Sequence, residues 1–147
     1  MECNIYKKVA KVILSNAYTK KVVELCLSEI DKLDYSVSVH LVGERRIRTL
    51  NMMHRGLDYA TDVISFSALE GDVIGDSNDL GDIFICIDKI RKQARKYGVS
   101  EKEEFVRMLA HGILHLAGYD HKDEDQEEKM FKKQEKIVHR AKELISI

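Results

Sequence analysis

The chain contains no proline, so its turns fall to glycine, aspartate and asparagine, whose backbones or side chains favour reversal. Cysteine is scarce as well: Cys3, Cys26 and Cys86 are odd in number and far apart. They match neither a disulfide framework nor a C-x-x-C metal clip, and a reducing cytoplasm is the expected home. No apolar run approaches the length of a membrane span, and the first residues hold no apolar signal region, so neither membrane insertion nor export is expected. An excess of one charge is also missing. The formal net charge of −1 gives no global pull toward nucleic acid, and any such contact has to come from local patches. What is present is an ordinary balance, 44% hydrophobic and 33% charged over 147 residues, enough for a single domain spanning 1–147 with a sizeable core.

Against that background one stretch stands out: His111-Gly112-Ile113-Leu114-His115-Leu116-Ala117-Gly118-Tyr119-Asp120-His121 holds three of the six histidines. His111 and His115 are spaced i, i+4, which stacks them on one face of a helix. Gly118 can end that helix, and the reversed chain can bring His121 back to the same point. Three neutral imidazoles without a fourth protein ligand describe a metal site with an open position, the way a catalytic zinc is held. The intervals are those of the H-E-x-x-H-x-x-G-x-x-H zinc peptidases, but Gly112 stands where their glutamate base would be. Glycine cannot accept or return a proton, so the pattern keeps the metal geometry and argues against proteolysis. A single histidine on an apolar helix face is more often a hydrogen-bonded core residue, and a pair at this spacing can arise by chance. The third histidine, just past a helix-ending glycine, makes the metal reading the better one.

Taken in order, residues 4–14 read either as a short strand with a turn or as the start of a helix. Thr19 to Leu33 has helical apolar spacing, with Asp34 near its exit. Ser36 to Val42 alternates as a half-buried strand, with His40 on its polar face, turned to solvent and away from any metal. A short helix from Glu44 to His54 follows Gly43. Its Arg45, Arg46 and Arg48 read as a solvated face, whereas Arg55 sits at the helix end, where functional side chains gather. Thr61 to Ser67 is a second strand. The loop from Gly71 to Asp79 carries Asp72, Asp76, Asn78 and Asp79. Only a fragment of a calcium loop can be read there, since Ile87 falls where the closing glutamate belongs.

Leu80 to Ile87 is a third strand, apolar enough to lie centrally. Asp88 is placed to cap a helix that runs to Tyr97 and stops at Gly98. Lys89, Arg91, Lys92, Arg95 and Lys96 form the strongest basic patch in the chain. Such a run ordinarily solvates a helix, and it is also available to a phosphate backbone. Ser100-x-x-Glu103 is a capping box for the helix of His111 and His115, whose Phe105, Met108, Leu109, Ile113 and Leu116 predict burial. Asp123-x-x-Gln126 caps a last helix with one apolar stripe: Met130, Phe131, Ile137, Val138, Ala141, Leu144 and Ile145. The expected architecture is a compact α+β domain.

These segments resemble the YbeY-type proteins, bacterial metal-dependent endoribonucleases. The resemblance rests on Leu50-Asn51 with Arg55, Thr61-Asp62-Val63-Ile64-Ser65-Phe66, Leu80-Gly81-Asp82-Ile83 and the whole His111–His121 motif. Ala60 and Ser67 stand where that family usually has prolines. The resemblance implies a zincin-like fold: a small mixed β-sheet with helices packed around it and a buried metal-binding helix. It implies His111, His115 and His121 as ligands of one Zn2+ ion, with Arg55 facing the metal cleft. It also implies work on the 3′ end of 16S ribosomal RNA in ribosome quality control, with the small subunit and its proteins as partners and no nucleotide cofactor.

Zinc acidifies bound water and polarises a phosphoryl oxygen, while Arg55 can hold the nonbridging oxygens. Since Gly112 supplies no base, Asp120 and Asp82 are the candidate proton acceptors. Asp120 is read equally well as a group orienting a ligand histidine. Asp62 is read as structural, and Tyr119 either stacks a base or packs. Two other readings stay open: a hydrolase of another substrate, and a ribosome assembly factor whose zinc only braces the fold.

Overall fold

The computed structural model describes residues 1–69 and 78–147. In chain order the elements are β1 (Glu2–Lys7), α1 (Asn16–Glu29), β2 (Ser36–Val42), α2 (Glu44–Arg55), β3 (Val63–Ser67), β4 (Asp79–Cys86), α3 (Ile87–Tyr97), α4 (Glu101–Leu116) and α5 (Glu124–Ile145). Among the described residues the strands form one mixed sheet ordered β1-β2-β4-β3. β1, β2 and β4 run parallel, and β3 closes the edge antiparallel to β4. This is the expected α+β arrangement. Asp72 and Asp76, with most of the acidic loop, lie outside the described residues.

Side chains alternate across each strand, so the sheet has two faces with different coverings. One face presents Val37, Val39, Leu41, Ile83 and Ile85 to the main core, where they meet α1, α4 and α5. The other presents Val42, Ile64 and Cys86, which α2 covers with Ile47 and Leu50. α4 runs through the centre, touching α1, α3, α5, β3 and β4. Phe105, Val106, Leu109, Ala110, Ile113 and Leu114 are fully buried, so the helix is apolar around most of its circumference. The metal-motif helix therefore has the rigid mount that its sequence predicts.

Several boundaries and surfaces differ from expectation. Of the two readings of residues 4–14 the structure has the short strand, with β1 ending at Lys7 and irregular chain following, and α1 ends at Glu29 instead of reaching Leu33. Asp88 is not the cap of α3: the helix starts two residues earlier than that cap implies, with Cys86 at the N-cap, and Asp88 lies in the first turn. Ser100 caps α4 by accepting the Glu103 N–H at 3.0 Å. Glu103 does not reach back to close the box; its carboxylate pairs with Arg107 and Lys142 instead. Asp123 caps α5 as predicted, accepting the Gln126 N–H at 2.8 Å. Phe131 and Leu144 leave the predicted α5 stripe and are exposed, because the packed face of that helix is narrower than the run of apolar residues.

Candidate metal centre

The position of α4 over the sheet depends on a residue without a side chain. A Cβ on Gly112 would stand 3.0 Å from Ile83 Cγ2 and 3.3 Å from Ser65 Oγ. Glycine thus lets the helix backbone approach β3 and β4 closely. Two serines of β3 fix the register, Ser65 donating to the Gly112 carbonyl at 3.2 Å and Ser67 to the Leu116 carbonyl at 3.0 Å. Beyond Ala117, Gly118 takes φ +97°, and its N–H bonds the His115 carbonyl at 3.0 Å. The chain reverses there. The Asp120 carboxylate then accepts the His121 N–H at 2.7 Å, holding the turn that delivers the third imidazole.

The three rings converge. Their centroids are 4.6, 5.0 and 6.0 Å apart for the pairs 111–115, 115–121 and 111–121. One ring nitrogen from each lies within 4.8 Å of the others, and the Nε2 atoms of His111 and His115 are 3.1 Å apart. Ligands placed tetrahedrally about 2.0–2.1 Å from a zinc ion stand about 3.3 Å from one another. The His111–His115 pair matches that spacing, and the His121 nitrogen is near enough for the set to be able to hold a small divalent ion. Burial, together with the neighbouring rings of His111 and His121, lowers the pKa of His115. That favours the neutral imidazole, the form that binds a metal.

Sequence reasoning missed one residue of this site. Gln134, from α5, is buried, and its Oε1 lies 2.8 Å from His111 Nδ1. Its amide nitrogen donates to Glu135 at 3.2 Å, so the oxygen is the atom turned toward the ring. His111 Nδ1 must then carry the hydrogen, and Nε2 keeps its lone pair free to accept a metal ion. Glu135 is held in turn by both Nε and Nη2 of Arg107 at 3.0 Å, and Arg107 also bonds Glu104 at 3.1 Å. A chain of hydrogen bonds thus runs from Glu104 inside α4 to the His111 ring.

With this geometry in place, the comparisons are specific. The family model described as endoribonuclease YbeY matches residues 4–142. The chain belongs to that family. It is 43% identical to the Bacillus licheniformis endoribonuclease YbeY, the match covering 83% of this chain and 89% of that protein. It is 40% identical to the protein of the same name from Aquifex aeolicus, over 81% and 78% of the two chains. The solution structure of a Thermotoga maritima protein superposes with a TM-score of 0.67 at 31% identity, covering 98% of this chain and 91% of that one.

The residues that mark the YbeY resemblance do not all meet at the rings. Arg55, the last residue of α2, lines the same 380 Å³ cleft as His111, His115 and His121. Asp62 lines it too, but both of its oxygens are engaged. One accepts the Val63 N–H at 2.8 Å, and the other accepts the Gln93 amide of α3 at 2.9 Å, which ties the strand entrance to the helix behind it. Asp82 is elsewhere. It alternates with the core residue Ile83 and so points to the α2 side of the sheet, where it bonds His40 Nε2 at 2.8 Å. His40 is not turned to solvent either: its ring is stacked between Tyr6 and Phe84, with centroids 4.8 and 4.1 Å away.

Asp120 lines a neighbouring depression beside Tyr119, outside the cleft proper. The backbone N–H of His121 lowers its pKa and keeps it ionised. Tyr119 packs half-buried against the core. The basic run of α3 stays outside the cleft, with Arg91 paired to Glu101 and Lys92 to Glu44.

Proposed function

We propose that the chain is a zinc-dependent endoribonuclease that hydrolyses single-stranded RNA as one unit spanning residues 1–147. The observation carrying this reading is the convergence of three imidazoles, with no fourth described His, Cys, Asp or Glu in the cluster. A set of three protein ligands leaves a coordination position for water or substrate, as in catalytic and unlike structural zinc sites. When bound, the ion supplies Lewis acidity, which acidifies water and polarises a phosphoryl oxygen.

The other roles belong to the chain. Arg55 offers a guanidinium at the cleft wall for the nonbridging oxygens of the scissile phosphodiester, where negative charge grows in the transition state. Gln134 fixes the tautomer and ring plane of His111. Asp120 holds the turn of His121 through the backbone, which makes it a positioning residue. Asp82 has no part at the cleft, because the sheet lies between it and the rings. Gly112 supplies no proton acceptor and permits the close helix–sheet contact instead.

Relatives named endoribonuclease YbeY support RNA as the substrate. Within that reading the target is ribosomal RNA at the 3′ end of the 16S molecule, in maturation and quality control of the small subunit, with its proteins as partners in the cytoplasm. Among the described residues no helix is long and apolar enough to cross a membrane. The test is to incubate purified protein of measured metal content with structured and unstructured RNA, beside a variant in which all three histidines are alanine. Cleavage of the unstructured strand by the wild type alone is expected. Equal cleavage by the triple variant would assign the activity to a contaminant.

A further inference from the structure

We propose that a second groove, along the outer side of α2, is a subsite for the single-stranded RNA that runs out of the metal cleft; the proposal rests on the nuclease reading above. The groove has a volume of about 810 Å³, within the range of ligand-binding clefts, and Arg45, Arg48, Met52, Tyr59 and Lys89 are among its walls. Two features join it to the cleft. Residues 45, 48, 52 and 55 recur at three- and four-residue intervals, so a single stripe of α2 leads from the groove to Arg55 in the cleft. From Arg45 to Arg55 this stripe is about 15 Å long, at 1.5 Å per residue. The following segment takes the same path, with Tyr59 and Ala60 in the groove and Thr61 and Asp62 in the cleft.

The wall chemistry suits a single strand better than a folded partner. Non-sequence-specific binding of single strands combines cations that track the backbone with aromatic faces on which bases stack. Arg48 is occupied by Asp58 at 2.8 Å, and Glu44 by Lys92 at 2.9 Å. Arg45 and Lys89 remain without an ion pair among the described residues, which leaves two cations for phosphates. Tyr59, 52% exposed, and Met52, 52% exposed, offer flat and adaptable apolar surface between them. In a chain of net charge −1 this concentration is local. Arg46 is equally basic and exposed, but it is not part of the groove wall.

The test compares Arg45→Ala, Tyr59→Ala and their combination with Arg46→Ala, which removes the same charge outside the groove. Binding of a fluorescent 20-nucleotide unstructured RNA to metal-loaded protein is read by anisotropy in the cold, with the probe checked for integrity. Cleavage of that RNA and of a dinucleotide, whose one phosphodiester fills only the cleft, is measured in parallel. Each groove variant is expected to weaken 20-nucleotide binding roughly tenfold. Arg46→Ala is expected to stay within about twofold of the wild type, and dinucleotide kcat/KM is expected to be unchanged throughout. Loss of Arg45 should also shrink the slope of log K against log salt by about 0.7.

Groove variants that bind the long RNA as the wild type does, or no worse than Arg46→Ala, would overturn the subsite and leave the nuclease reading standing. Groove-dependent binding without any cleavage would do the reverse. A wild type that neither binds nor cuts the RNA would remove both.

Discussion

Gln134 Oε1 sits 2.8 Å from His111 Nδ1, joining the middle of α5 to a candidate metal ligand in α4. Partners of this kind hold a ligand ring in one tautomer, and losing one typically costs about 10–100-fold in metal affinity. Gln134→Leu is therefore expected to weaken zinc binding by that factor in a competition titration with a chromophoric chelator. Gln134→Glu keeps the acceptor and should retain most of the affinity. Unchanged affinity in the leucine variant would show that the contact only packs the two helices.

Arg55 is exposed at the end of α2 and lines the cleft that holds the three rings. If it stabilises charge that develops on the phosphate, Arg55→Ala should bind zinc and melt like the wild type while RNA cleavage falls about 10²-fold. Arg55→Lys should recover only part of the loss, since a point charge replaces a planar fork. Wild-type turnover in the alanine variant would remove Arg55 from the site.

Gly112 has room for a hydrogen and little more. Gly112→Ala forces Ile83 and Ser65 to yield by a few tenths of an ångström. The expected cost is about 1–3 kcal/mol, read as a lower Tm. Ile83→Val in the same chain should return part of it by withdrawing the Cδ1 atom that stands 3.3 Å away. No change in Tm on Gly112→Ala would mean that the helix and sheet are not in tight contact.

The parts of this site that were legible in the sequence are those made by local geometry. His111 and His115 are related by one helical turn, and His121 by the reversal after Gly118, so spacing alone brings the three together. Gln134 is 23 residues from His111, and only the packing of α5 on α4 makes them neighbours. Nothing in the run around it separates it from any other polar helix residue. Asp82 shows the opposite problem. The strand was legible, but which of its faces meets α4 is settled by tertiary packing, and a one-residue change of parity moves a carboxylate across the sheet. His40 does lie on the face that the alternation of its strand assigns to polar residues, yet that face is lined by Tyr6 and Phe84 from neighbouring strands, which no single strand reveals.

Glu29 ties α1 to α5 through Lys136 at 3.2 Å and Arg140. Burial pushes its pKa up, but hydrogen bonds and charge from Lys136 and Arg140 outweigh that and hold it below its ordinary value. A carboxyl depressed in the folded state stabilises above its unfolded pKa, about 4.3, and that contribution is lost as pH falls through the folded value. Glu29→Gln should thus lower stability at pH 7 by about 1–2 kcal/mol. Denaturation curves of variant and wild type should draw together as the pH falls below roughly 4. A constant gap across that range would mean that the charge on Glu29 is not what stabilises the contact.

X-ray absorption at the zinc edge of the reconstituted protein tests the centre most directly. Three imidazole nitrogens and one water oxygen at about 2.0–2.1 Å are predicted, with the histidine count falling when His121 is replaced by alanine. Four protein ligands around the ion, or an imidazole count that His121→Ala does not change, would contradict an open site built by His111, His115 and His121.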